Sequence, residues 1–265
     1  MTIRSRAERL SHHLVLRRRL PAPYGGSRFY TSPEAGLRYL KPSLRGADPT
    51  LVSMVTELVR PGHVVWDIGA NIGLFAFAAA ARAGRDGHVI CVEADTWNVA
   101  LLRRSAASQP PSSAKVEVVP AAVSSVVGLA AFEIARRNRS TNALAGMASS
   151  QAGGVRETQI VPTLTLDLLA EHLPAPHFLK IDVEGAEALA LEGAGAVLDS
   201  RPTVLCEVSE LNAPAVHAML CATRGYELFD ADAPVPRRPL GSARAFNLLA
   251  TPRTQLDAGA GGQAS

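Results

Sequence analysis

The chain has 265 residues, 47% of them hydrophobic and only 5% aromatic, enough to bury the core of one α/β domain with short terminal additions. A formal net charge of +3 is too small for a nucleic-acid footprint, and the most apolar stretch, residues 72–81, is too short to span a bilayer. Three cysteines, Cys91, Cys206 and Cys221, are odd in number and lack metal-ligand spacing, so they read as buried thiols of a reducing, cytoplasmic setting.

Residues 1–47 read as a basic, helical extension and a candidate lid. Arg4, Arg6, Arg9, Arg17, Arg18, Arg19 and Arg28 face only Glu8 before residue 30, and a solvated helix explains that run better than a targeting peptide or a membrane-surface helix. The main domain is expected over 48–252. Asp48 and Pro49 open a helix running to Val59, with Leu51, Val55, Leu58 and Val59 on one face, and Pro61-Gly62 ends it.

The next ten residues carry most of the information. Val64-Val65-Trp66-Asp67-Ile68 is a non-alternating β-forming run, as a strand covered on both faces should be, and Gly69-Ala70-Asn71-Ile72-Gly73 turns it into a helix over 72–83. A dinucleotide fingerprint would need Gly at position 71 and a third glycine against the helix. Asn71 and the preceding Asp67 argue instead for a ligand with a cationic or donor group and no pyrophosphate, such as the amino-acid end of S-adenosylmethionine.

A second buried strand, 88–93, ends in Glu93, 20 residues after Gly73, where a carboxylate accepts hydrogen bonds from ribose hydroxyls. Either feature alone is common in α/β proteins that bind no cofactor; together, at this spacing, they point to a ribose-bearing one. A helix over 95–107 capped by Asp95 and a strand over 115–119 complete the first half.

The pattern then changes. Strands 129–134 and 157–161 flank the polar loop Arg136-Arg137-Asn138-Arg139-Ser140-Thr141-Asn142, a β-hairpin inserted between the third and fourth core strands and a natural place for substrate-facing residues. Alternation resumes with a helix begun by Thr165 and Asp167, strand 177–181, helix 185–198, strand 204–208 and helix 213–223. Two final strands, 226–229 and 245–249, have no helix between them, so one is antiparallel. Residues 253–265 read as a disordered tail.

Four acids fall at the carboxyl ends of these strands, where open α/β sheets bind ligands: Asp67, Glu93, Asp182 and Glu207. Asp182 stands where a reacting group belongs. It can take a substrate proton, hold the methionine end of the cofactor, or join Glu207 around a divalent cation, while Lys180 neutralises it. Glu184 and Glu187 also fit a plain role as N-terminal helix acids, the better account of Glu187.

At these residues the chain resembles the FkbM family of S-adenosylmethionine-dependent methyltransferases. The matching pieces are the run from Val64 to Gly73, Val92-Glu93-Ala94-Asp95, Pro120-Ala121-Ala122-Val123-Ser124, Thr165-Leu166-Asp167, and the most diagnostic, Lys180-Ile181-Asp182-Val183-Glu184-Gly185-Ala186-Glu187. The resemblance covers roughly 48–250. It implies a class I, Rossmann-like fold of seven mostly parallel strands with the last antiparallel, and methylation mostly of hydroxyl groups on sugars, glycolipids or polyketide-type metabolites. Carried over, Asp67, Gly69, Asn71 and Gly73 surround the methionine part, Glu93 the ribose, and Ala121 and Ala122 the adenine. Asp182 and Glu184 face the transfer site. Ala94 departs from the proline frequent in the family.

The expected partner is a small-molecule or glycosylated hydroxyl acceptor, with no nucleic acid and no integral membrane segment; a homodimer and a divalent cation stay open. Two rival readings are an N-methyltransferase and a cofactor-fold protein that binds without catalysis. The first is weakened because no aromatic residue follows strand 177–181 to stack a base.

Overall fold

The computed structural model describes residues 14–22, 25–36, 39, 49–136, 138–147, 153–241 and 245–253. It opens with an antiparallel ribbon, β1 (Leu16–Arg19) against β2 (Arg28–Thr31), where the sequence reading expected helix. The reason is a period of two. Arg17 and Arg19 are exposed while Leu20 and Phe29 are 1% and 0% exposed, a pattern no helix can satisfy. Residues 1–13, the Asp48 cap and the tail beyond 253 lie outside the described residues.

Alternating elements then build the sheet: α1 (Pro49–Leu58), β3 (Val64–Ile68), α2 (Leu74–Ala83), β4 (His88–Glu93), α3 (Thr96–Ala106) and β5 (Lys115–Pro120). After an insertion come α4 (Leu166–His172), β10 (Phe178–Ile181), α5 (Glu187–Glu192), α6 (Gly195–Asp199), β11 (Thr203–Glu207), α7 (Ala213–His217), β12 (Tyr226–Asp230) and β13 (Asn247–Pro252). The insertion holds β6 (Ala122–Val123), β7 (Gly128–Ala135), β8 (Ala143–Leu144) and β9 (Val155–Leu164).

The seven core strands lie in the order β12-β13-β11-β10-β3-β4-β5. Pairs from β11 to β5 are parallel, and β13 runs antiparallel to both neighbours, as expected. Helices cover both faces, so β3 and β4 bury nearly every residue. Val65, Phe75, Phe77 and Val89 pack one layer; Trp66, Ile68, Ile90 and Ile181 pack the other. Alanines 76, 78, 79 and 80 of α2 are at most 1% exposed, which brings that helix close to the sheet.

Three local outcomes differ from the periodicity. The expected helix 185–198 breaks into α5 and α6 because a Cβ at Gly193 would lie 2.7 Å from the Ser124 carbonyl, so the corner tucks against the insertion. The last turn of the 213–223 helix widens into a π-helical turn, Ala218–Thr223. The expected hairpin is β7 with β9, enlarged into a four-stranded sheet of order β6-β9-β7-β8. Its inner face, Phe132, Ile134 and Val161, packs with Ala94 and Ala122 against the carboxyl ends of β4 and β5.

Gly69 shows how tightly those ends are joined. At φ +76°, a Cβ there would sit 1.8 Å from the Asp182 carbonyl oxygen, a backbone atom that cannot step aside. Gly69→Ala should therefore lower stability by at least about 3 kcal/mol in urea unfolding, whereas Gly62→Ala, at φ +80° with open space around it, should cost only about 1 kcal/mol.

Candidate functional site

A cavity of about 300 Å³ opens at the carboxyl ends of β3, β4, β10 and β11. It receives Gly69 and Asn71 from the turn after β3, Glu93 from β4, Ala121 and Ala122 after β5, Asp182 and Glu184 after β10, and Glu207 from β11. Two residues assigned to the site by sequence do not line it. Gly73 turns its Cα toward Phe77 and Leu102, where a Cβ would come within 2.4 and 2.8 Å, so it serves packing. Asp67 lies beneath.

Asp67 shares the strand face of Val65, is 0% exposed, and has Lys180 Nζ 3.1 Å from its Oδ1. Burial pushes its carboxyl above the usual range while Lys180 pulls it back. The same ammonium reaches Asp182 Oδ2 at 3.1 Å. Burial disfavours the charged lysine, but Asp182 and Asp67 more than offset it and hold its pKa above the ordinary value. Asp67 is thus a counter-ion that fixes Lys180 under Asp182. It lies beneath the cavity lining, against Lys180, rather than on the open edge of the glycine turn.

Glu93 is 7% exposed and rigidly held. Its Oε2 accepts the Asn71 N–H at 2.7 Å and its Oε1 the Asp95 N–H at 2.8 Å. Asn71 reaches it only by adopting φ +51°, in the left-handed region. Burial pushes the Glu93 pKa up to about 8 against the pull of those two N–H groups.

On the other side of β3, one carboxylate oxygen each from Asp182, Glu184 and Glu207 lie within 4.8 Å of one another, close enough to share a hydroxyl proton or a divalent cation. Burial, then the Asp182 charge, pushes Glu184 up to about 7 and Glu207 up to about 8. Glu187 does what a helix-start acid should: its Oε1 accepts the Gly185 N–H at 3.0 Å, and its Oε2 accepts from Asn212 Nδ2.

These shifts make stability pH-dependent. Unfolded, Glu93, Glu184 and Glu207 titrate near the ordinary 4.5; folded, at about 8, about 7 and about 8. The folded chain keeps protons that the unfolded chain has released, so this contribution is full below the unfolded value and is lost as pH rises through the folded ones. The melting temperature of the cofactor-free protein should fall progressively as pH rises from about 4.5 to about 8 and level off above it, measured by calorimetry across buffers.

The insertion supplies the rim. Arg139, in a short turn at Arg139–Thr141, lines the cavity with its side chain 11% exposed. Its Nη1 lies 2.6 Å from Asp95 Oδ2 and its Nε 2.5 Å from Glu34 Oε2, while Arg156 reaches the same Glu34 oxygen at 3.3 Å. Asn142 joins them, its Nδ2 donating to Asp95 Oδ2 at 2.8 Å. Asp95 also caps α3 through the Trp97 N–H. An arginine read as solvent- or substrate-facing is therefore a clasp between the N-terminal segment, the insertion and the residue that holds Glu93. Arg139→Met should raise the KM for the cofactor about tenfold with kcat within about threefold, and Arg139→Lys should restore part of it.

Phe132, Asn142 and Phe246 also line the cavity; the sequence placed them in strand 129–134, the polar loop and strand 245–249 but singled out none of them as site residues. Only the polar loop 136–142 gave a signal, and it did not single out a residue. Lys180 was legible as the neutraliser of Asp182, though its bond to Asp67 was not.

Residues 67–228 match the family model described as Methyltransferase FkbM domain. No curated protein matches the chain. Among solved structures, it is similar to a methyltransferase FkbM from Methylobacillus flagellatus KT, at 16% identity and a TM-score of 0.46, covering 76% of this chain and 50% of that one. It is also similar to an S-adenosylmethionine-dependent O-methyltransferase from Thermotoga maritima (13% identity, TM-score 0.44, 77% and 65% covered). A third is Aeropyrum pernix fibrillarin in complex with natively bound S-adenosyl-L-methionine (12% identity, TM-score 0.44, 89% and 92% covered). The chain spans about half the length of the first of these.

Proposed function

Because this chain belongs to the FkbM family of S-adenosylmethionine-dependent methyltransferases, we propose that it methylates a hydroxyl group on a sugar, glycolipid or polyketide-type metabolite. The residues present fit the cofactor. Glu93 is a carboxylate already locked by two backbone N–H groups, with Ala121, Ala122 and Phe132 as a small apolar wall nearby, and Gly69 and Asn71 bring backbone to the cavity edge. When bound, the cofactor supplies an electrophilic methyl carbon; the protein must hold the acceptor oxygen in line and take its proton.

The observation that carries the hydroxyl reading is the group formed by Asp182, Glu184 and Glu207, across β3 from Glu93. Carboxyls pushed to about 7 and about 8 are tuned near the pH at which a general base works. Lys180 holds Asp182 Oδ2, which orients that carboxylate as the acceptor hydroxyl donates to the cluster. Phe246, 60% exposed and lining the cavity next to the β13 residue paired with Glu207, gives a sugar or polyketide face something apolar to lie on. Arg139, the one cation in the lining among the described residues, is already paired, so a neutral polyhydroxyl acceptor suits the site better than an anionic one.

Methyl-labelled cofactor offered with a panel of glycosides, glycolipids and polyketide alcohols tests this, with the modified atom located by NMR. Transfer to oxygen supports it; transfer only to nitrogen, or no heat of binding with S-adenosylmethionine or S-adenosylhomocysteine, defeats it. Repeating the assay after EDTA, with and without magnesium, reads whether the three carboxylates work around a cation.

A further inference from the structure

We propose that the β1–β2 ribbon is a docking face for an anionic phospholipid bilayer. In the antiparallel register Arg19 stands directly opposite Arg28, and Arg17 opposite Tyr30, so these four side chains share one face. Arg17, Arg19 and Arg28 are exposed. From α3, Arg104 lays its guanidinium 3.9 Å from the centre of the Tyr30 ring. Arg104 thus adds a fourth guanidinium, at Tyr30, to the three exposed arginines of the ribbon, and no carboxylate among the described residues forms an ion pair with any of the four.

Like charges directly across an antiparallel pair repel and destabilise it. Anions laid over the face relieve that repulsion, and the inward side of the same ribbon is well anchored: Phe29 is fully buried and the Tyr30 N–H donates to Ser105 Oγ at 2.8 Å. The charge is a built feature of a fixed surface, not of a loose tail.

Two observations favour a bilayer over a nucleic acid. Leu14, two residues before β1, is 46% exposed, an apolar side chain that a membrane interface covers and a phosphodiester backbone does not. The Tyr30 ring is half-buried and Arg104 covers one of its faces, which leaves it a poorer platform for a base. Tyr30 lies four residues before Glu34, which clasps Arg139 at the cavity rim, so docking here would bring the cavity near the headgroup layer. The proposal does not depend on which acceptor the cavity takes.

Flotation of the full chain with vesicles of phosphatidylcholine alone, or with about one-third phosphatidylglycerol, tests it. Binding is expected only with the anionic vesicles and should weaken as salt rises. Arg19→Gln and Arg28→Gln should each weaken it about fivefold, and the double variant about 25-fold, while Arg85→Gln, on the exposed turn before β4, should leave it unchanged. Because the double variant also removes the cross-strand repulsion, its melting temperature should not fall, which separates lost docking from lost folding. Absence of vesicle binding at low salt, an equal loss with Arg85→Gln, or binding of single-stranded RNA through the same arginines without vesicle binding would each overturn it.

Discussion

Glu93→Ala should weaken S-adenosylmethionine binding by about 10²- to 10⁴-fold, the loss of the two hydrogen bonds proposed from ribose hydroxyls to the ionised carboxylate, at roughly 1.5–3 kcal/mol each. The effect should reside in the cofactor Kd and KM, with kcat at saturation within about threefold. Glu93 also organises its surroundings, accepting the Asn71 and Asp95 N–H groups at 2.7 and 2.8 Å, so the variant should melt a few degrees lower yet remain folded by circular dichroism. Glu93→Gln, which keeps one acceptor oxygen, should fall between. An unchanged Kd in a folded Glu93→Ala protein would remove Glu93 from the cofactor site.

Asp182→Asn should divide the two halves of the cavity. Turnover should drop about 10²- to 10⁴-fold, the usual worth of a general base, while cofactor affinity changes by less than about threefold. A second readout follows from the electrostatics. The Asp182 charge is the second cause, after burial, that raises Glu184 to about 7 and Glu207 to about 8. Removing it should move the midpoint of the residual pH–rate profile to lower pH, because the neighbouring carboxyls then ionise more easily. A variant with full turnover, or with an unshifted profile, contradicts the coupling between these three acids.

The fold was legible wherever neighbours in sequence carry the signal. The run Val64–Ile68 reads as a doubly covered strand because its residues are apolar without alternation, and Asp95 reads as a cap because it precedes a helix and its side chain accepts the Trp97 N–H. The antiparallel end of the sheet followed from two strands with no helix between them. The ribbon at Leu16–Thr31 was missed for a physical reason: three consecutive arginines mask a two-residue alternation whose buried partners, Leu20 and Phe29, show only once they pack.

At the site, local spacing determined which segments meet. The turn from Asp67 to Gly73, the acid at Glu93 and the run from Lys180 to Glu187 are each written within a few residues, and parallel pairing of β4, β3 and β10 carries them to one edge of the sheet. Which atoms face the cavity was decided only by tertiary packing. Asp67 turned inward because its strand parity puts it beneath the sheet tips, where Lys180 needs a second counter-charge. Arg139 became a clasp because Glu34, 105 residues before it, and Asp95, 44 before it, converge on the same guanidinium. Periodicity reports the face of a helix or strand; it carries no record of which distant charge will come to rest against it, because that choice is made by the burial energy of the assembled layers.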